Sequence, residues 1–132
     1  MQIFRSLDEI TAPLPKPVVT LGNFDGVHIG HREIFRRIRR EAKRIGGSSV
    51  VVTFQPHPLK VLKLGKEIRL INTYAEKELL LGASGIDYLV IIPFTGKFAT
   101  ISPRAFIKDL LVGRIGVHTL FVGYDYAFGR NR

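Results

Sequence analysis

Two histidines lie three residues apart in the segment GNFDGVHIGH, which runs from Gly22 to His31. Residues at this spacing share one face of a helix, so His28 and His31 can act together if a helix begins here. Gly30 between them has no side chain, which lets a ligand approach the backbone. The free N–H groups and the dipole of a helix N-terminus also attract anions. We therefore expect a binding site for phosphate oxygens, with the imidazoles as hydrogen-bond donors.

Two other interpretations of His28 and His31 remain open. The histidines could cap the helix, or they could bind a metal, although a zinc site needs at least a third ligand. The chain contains no cysteine to supply one, and it has no G-x-x-x-x-G-K-[ST] loop as another means of binding phosphate. The position of the two histidines between an apolar run and a basic helix favours the phosphate site.

The elements that must position these residues follow from the apolar periodicity. Buried strands are predicted at residues 18–21, 48–54, 86–93 and 117–122, and helices at 28–45, 75–83 and 102–111. Strands that alternate with helices in the order β-α-β-α-β-α-β predict an α/β fold with a parallel sheet. The segments 22–27, 55–58 and 124–132 each follow a strand. We expect them to converge at the carboxyl edge of the sheet, where ligands bind in such folds.

Length and composition limit the possible function classes. A chain of 132 residues, 45% hydrophobic and 23% charged, predicts a single globular domain. The absence of cysteine excludes a disulfide scaffold, an iron–sulfur cluster and a cysteine nucleophile. No apolar run approaches the ~20 residues of a membrane span, and the acidic start of the chain is unlike a signal peptide, so we expect a cytoplasmic protein without a membrane partner.

A net charge of +9 predicts anionic partners such as nucleotides. Seven of the cations lie within residues 32–44 of the second predicted element. This basic helix can be a solvated face, a patch for nucleic acid, or a source of attraction for nucleotides. It has little aromatic interleaving and no RNP-like string, so we expect no nucleic-acid partner.

Several motifs in one order resemble those of a known family. GNFDGVHIGH is similar to the HxGH signature of nucleotidylyltransferases. The chain also resembles, over residues 18–132, the adenylyltransferase module of bacterial FAD synthetases. The further segments that carry this resemblance are VVTFQPHP, EKELLLGASGIDYLVIIPF and FVGYDYAFGRNR. The resemblance implies a Rossmann-like fold, FMN and ATP as substrates, FAD and pyrophosphate as products, and Mg²⁺ bound with the substrate phosphates. An acceptor other than FMN, and a non-catalytic module that binds nucleic acid, are the alternatives.

The resemblance also implies roles for individual residues. His28 and His31 match the phosphate-binding histidines of the family. The ATP-binding residues would be Gly22, Asn23, Phe24, Asp25 and Gly30. The flavin-binding residues would be Phe54, His57, Pro58, Asp125 and Phe128. Asp25 or Asp125 is a candidate metal ligand.

The chain departs from the family pattern at two points. Gln55 stands where an acidic residue is usual. Members of the family also continue to a Ser/Thr-rich motif that ends in arginine, and then to a riboflavin kinase domain. We therefore expect residues 1–132 to be one incomplete adenylyltransferase domain without the kinase domain, which would follow it in the natural protein.

Overall fold

The computed structural model describes residues 1–24, 29–55 and 74–122. Within these ranges five strands form one sheet: β1 (Gln2–Phe4), β2 (Pro17–Leu21), β3 (Ser48–Gln55), β4 (Tyr88–Pro93) and β5 (Thr119–Phe121). Their order in space is β1-β4-β3-β2-β5, and every neighbouring pair is parallel. The predicted α/β fold with a parallel sheet is confirmed.

The helices cover both faces of the sheet. They are α1 (Ile29–Ile45), α2 (Tyr74–Ala83) and the short α3 (Pro103–Ala105), which continues into a π-helix over Phe106–Ile115. Side chains of successive strand residues point to opposite faces. Val19 and Leu21 of β2 pack in one cluster with the π-helix, and Val18 and Val51 pack in the other with α1 and α2.

Helix α1 shows why the sequence folds as predicted. Phe35, Ile38 and Ala42 recur at helical spacing and are almost fully buried, whereas the arginines between them are exposed. The helix ends at Ile45, and the next residue, Gly46, has a φ of 69° in the left-handed region that glycine adopts without strain. Gly47 N–H then donates to the Ala42 carbonyl at 2.8 Å. The apolar stripe and the glycine cap of α1 therefore agree with the helix predicted at residues 28–45.

Strands β4 and β5 each begin two residues later than predicted, and β5 also ends one residue earlier. Strand β1 and the helix after Ser102 differ more from the sequence prediction. Strand β1 was not predicted, because three residues show no periodicity and their partner strand is far away in sequence. The helix predicted at 102–111 begins as expected, with Ser102 Oγ accepting from Ala105 N–H at 3.2 Å and Pro103 in the first turn. It then becomes a π-helix whose buried residues, Phe106, Leu111 and Ile115, are five and four positions apart. That spacing suits i→i+5 hydrogen bonding better than the tighter turn of an α-helix.

Candidate functional site

The segment after β2 leaves the sheet at its carboxyl edge. Gly22 N–H donates to the Val52 carbonyl at 3.0 Å, which extends the β2–β3 ladder by one residue. The backbone then turns at Phe24, whose φ of 53° is in the left-handed region. This conformation is unfavourable for a bulky residue, so the contacts around Phe24 must hold it in place.

The ring of Phe24 folds back over Gly22 and packs under the start of α1. A Cβ atom added at Gly22 would lie 3.0 Å from Phe24 Cζ, so the backbone and the ring need glycine here. The Phe24 side chain is only 6% exposed. Its ring centroid lies 5.1 Å from that of His31, edge to face, and 5.2 Å from that of Phe35. Phe24 therefore joins the turn to the predicted phosphate site.

His31 occupies the first turn of α1 and is partly exposed. Phe24 and Phe35 pack against its imidazole, the latter with ring centroids 6.4 Å apart. These contacts restrict the ring, while the N–H groups and the positive dipole end of α1 lie beside it. A partly exposed imidazole at a helix N-terminus can donate a hydrogen bond to a phosphate oxygen.

Lys77 on α2 reaches the same turn and was not singled out from the sequence. Its side chain is buried, and its Nζ donates to the Asn23 carbonyl at 3.0 Å and to Thr53 Oγ1 at 3.3 Å. The sequence feature that could have indicated this role is the position of Lys77 within the helix. Lys77 lies four residues before the fully buried Leu81, so it is on the same face of the helix as that core residue.

Three further polar atoms are buried near this edge. Within the part of the chain that the structure describes, Thr20 Oγ1, Asn23 Oδ1 and Gln55 Nε2 have no hydrogen-bond partner. A buried polar atom without a partner is destabilising. Two of these atoms belong to residues at the carboxyl ends of β2 and β3, the edge at which the sequence predicts ligand binding.

Phe54 lies near the same edge but on the other face of the sheet. Its ring belongs to an aromatic cluster and is 3% exposed. The centroids of Phe94, Phe98 and Phe106 lie 5.9, 5.8 and 6.1 Å from it. The packing makes Phe54 part of the core, so a flavin could contact little of its ring in this arrangement, and its role in flavin binding remains a prediction.

The remaining predicted site residues lie outside the described ranges or lack a described side chain. His28, Asp25, His57, Pro58, Asp125 and Phe128 are among the residues 25–28, 56–73 and 123–132. Gly30 falls within α1. Among the described residues, no group of three or more His, Asp or Glu side chains could hold a metal ion. The structure therefore brings together Gly22, Asn23, Phe24 and His31 of the predicted set.

The basic face of α1 is exposed and partly paired. Glu33 accepts hydrogen bonds from Arg36 at 2.9 Å and from Arg37 at 3.4 Å, and Arg44 pairs with Glu41. The hydrogen bond from Arg36 is the main cause that lowers the pKa of Glu33 below its ordinary value. A cleft of about 490 Å³ beside this face is lined by residues that include Arg39, Arg40, Lys43, Ser49 and Asp87. Ser49 and Asp87 lie at the amino ends of β3 and β4, so the cleft is at the opposite edge from His31.

None of the helices in the described ranges combines the length and the apolar character that crossing a membrane requires.

Comparisons with known proteins agree with the motifs. A family model described as FAD synthetase matches residues 11–132. The bifunctional riboflavin kinase/FMN adenylyltransferase of Escherichia coli K12 is 35% identical over 133 residues, which cover 100% of this chain and 42% of that protein. The protein of the same name from Listeria monocytogenes is 33% identical over 114 residues, 86% of this chain and 36% of that one.

A solved structure shares the fold. A crystal structure described as a macrolide-efflux protein from Streptococcus pneumoniae matches with a TM-score of 0.80 and 28% identity, over 97% of this chain and 43% of that one. The chain thus spans less than half the length of the relatives it matches.

Proposed function

The chain belongs to the FAD synthetase family, and from that premise we propose that it transfers the AMP group of ATP to FMN, forming FAD and pyrophosphate. One phosphate oxygen of FMN attacks the α-phosphorus of ATP in line. The new P–O bond joins the two nucleotides, and the bond from the α-phosphorus to the α,β-bridging oxygen breaks. The bonding electrons leave with pyrophosphate. The substrate supplies the nucleophile, so the protein contributes positioning and charge stabilisation.

The packing of Phe24 against His31 at the start of α1 is the observation that carries this proposal. His31 and, by the motif, His28 donate hydrogen bonds to phosphate oxygens and stabilise the charge that develops on the leaving pyrophosphate. The turn of Gly22, Asn23 and Phe24 borders the same place. In the proposal this turn, with Asp25 and Gly30, binds ATP.

The flavin is proposed to bind beside the carboxyl ends of β3 and β5. Phe54, His57 and Pro58 would meet it from the first of these strands, and Asp125 and Phe128 from the second. Aromatic and apolar side chains suit the planar isoalloxazine ring. Because other aromatic rings enclose Phe54, the other four residues of this set would make most of the contact with the flavin.

Mg²⁺ is proposed to accompany ATP. The cation would be held mainly by substrate phosphates with one or two protein ligands, as is usual for Mg²⁺. Asp25 or Asp125 would supply the protein ligand. When bound, the cation neutralises phosphate charge.

The relatives carry names that join FMN adenylyltransferase with riboflavin kinase. We propose that the natural partner of this module is a riboflavin kinase domain C-terminal to it in the same chain, which produces the FMN that this module consumes. We expect the reaction in the cytoplasm, where ATP is available, and no role for nucleic acid.

Replacement of the histidines tests the proposal. The chain is incubated with ATP, FMN and Mg²⁺, and FAD is measured by chromatography. His31→Ala and His28→Ala are each expected to lower kcat by about 100-fold or more, the usual loss when a donor to a developing charge is removed. His118→Ala is the matched control, because the side chain of this exposed histidine pairs only with the neighbouring Thr119 among the described residues.

Equal rates in all three variants would overturn the role of the histidines. AMP transfer to another phosphorylated acceptor, and none to FMN, would favour a different nucleotidylyltransferase. Salt-dependent binding of arbitrary nucleic acid without nucleotide binding would favour the non-catalytic module.

A further inference from the structure

The Lys77 ammonium is a charged group inside the protein. Its side chain is 5% exposed, and it occupies the core face of α2 together with Leu81. A charge at such a place is strongly destabilising unless hydrogen bonds compensate for the lost water. Its partners therefore indicate what the lysine does.

Lys77 and Thr53 both converge on one backbone carbonyl. Lys77 Nζ donates to the Asn23 carbonyl at 3.0 Å and to Thr53 Oγ1 at 3.3 Å. Thr53 Oγ1 in turn donates to the same carbonyl at 3.4 Å. Hydrogen bonds from a charged donor are stronger than those between neutral groups, and burial strengthens them further. The Asn23 carbonyl is thus held from α2 and from β3 together.

That carbonyl belongs to the peptide unit that ends at the Phe24 nitrogen. The peptide is planar, so the direction of the carbonyl also sets the direction of the Phe24 N–H and restrains the φ of Phe24. Phe24 has the unfavourable φ of 53°, and its ring packs on His31 at 5.1 Å. A continuous set of contacts therefore leads from Lys77 through Asn23 and Phe24 to His31.

We propose that Lys77 is a positioning residue for ATP binding, which it supports by holding Phe24 of the Gly22–Phe24 turn in its left-handed conformation. The inference rests on the proposed function for the identity of the ligand. Lys77 acts through the turn and not by contact with the reacting atoms. Its removal should therefore weaken ATP binding more than it affects FMN or the chemical step.

Steady-state kinetics of the whole chain test this role. Lys77→Met keeps the length of the side chain and removes the charge. We expect the KM for ATP to rise about tenfold, while the KM for FMN changes less than about twofold and kcat falls less than the KM for ATP rises. Thr53→Val should raise the KM for ATP in the same direction, and Thr53→Ser, which retains the hydroxyl, should restore it. Lys108→Met, an exposed lysine on the π-helix, is the control.

A purely structural role has a different signature. In that case Lys77→Met lowers the amount of folded enzyme, and the KM for ATP of the folded fraction stays at the wild-type value. That result would overturn the proposal, as would an unchanged KM for ATP in a fully folded variant.

A second readout separates this inference from the proposed function. A wild-type chain that makes no FAD and binds no ATP contradicts the proposed function. The positioning role is then decided by the backbone amide resonances of Asn23 and Phe24 and the ring resonances of His31. Lys77→Met should shift all three sets while the resonances of the π-helix stay in place. Unmoved Phe24 and His31 resonances would overturn the inference.

Discussion

Phe24 combines an unfavourable backbone conformation with a buried ring. A left-handed φ costs a bulky residue about 1–3 kcal/mol, and the packing on Gly22, His31 and Phe35 compensates for it. At this scale the motif residues form a single packed unit. The glycine accommodates the ring, and the ring restrains the imidazole.

Gly22→Ala tests that unit. The added methyl group would lie 3.0–3.3 Å from three atoms of the Phe24 ring, and this buried ring has little freedom to move. We expect the free energy of unfolding to fall by about 1–3 kcal/mol, as for overpacked cores. We also expect FAD formation to fall by about tenfold or more because His31 loses its support. Urea unfolding and the FAD assay measure the two effects.

Gly96→Ala is the matched control for this substitution. No atom lies within 4 Å of a Cβ built at Gly96. Equal stability and activity in Gly22→Ala, Gly96→Ala and the wild type would contradict the proposed contact between Gly22 and the Phe24 ring.

At the scale of elements, α1 shows what periodicity predicts well. Its length, its buried stripe and its glycine cap all follow from neighbours within about one turn, so the sequence was sufficient. The π-helix shows the opposite case. Its 4–5 residue spacing of apolar side chains is compatible with an α-helix over a short stretch, and only packing against the sheet selects the wider turn.

The ion pairs of Glu33 on α1 give a prediction for pH dependence. The pKa of Glu33 is lowered by Arg36 and then by Arg37, so its contribution to stability is fully present above the ordinary glutamate value of 4.5. It is lost as the pH falls through the lowered pKa. We expect Glu33→Gln to be slightly less stable than the wild type at pH 7, and we expect this difference to shrink at an acidic pH below 4.5. Urea unfolding at both pH values measures the difference.

Salt provides the check on that interpretation. The pairs are exposed, so the difference at pH 7 should shrink in about 1 M salt. A difference that persists at low pH and at high salt would mean that Glu33 stabilises the helix by packing and not by its charge.

The whole molecule depends on contacts between distant parts of the chain. Strand β1 pairs with β4 across most of the sequence, with Gln2 opposite Tyr88 and Phe4 opposite Val90. Phe4 is 8% exposed, and its ring stacks on Tyr88 with centroids 5.9 Å apart. Phe4 of β1 is therefore part of the core.

Phe4→Ala is expected to lower the free energy of unfolding by about 3 kcal/mol, because it removes buried apolar area and leaves a cavity. The measurement is urea unfolding, with Gln2→Ala, a substitution at an exposed residue of the same strand, as the control. Similar stability of the two variants would show that β1 contributes little to the fold.

The sequence by itself determined the α/β class, the HxGH-type motif, the family and, in the part of the chain that the structure describes, four of the five strands. These features depend on periodicity, turn chemistry and short motifs, which are local. Only the tertiary structure decided that Phe54 is enclosed by three aromatic rings on the face opposite His31, and that Lys77 supports a turn 54 positions earlier in the chain. Such contacts depend on which strands become neighbours and on how helices pack over them. That arrangement is set by burial summed over the whole core, and no short stretch of sequence contains it.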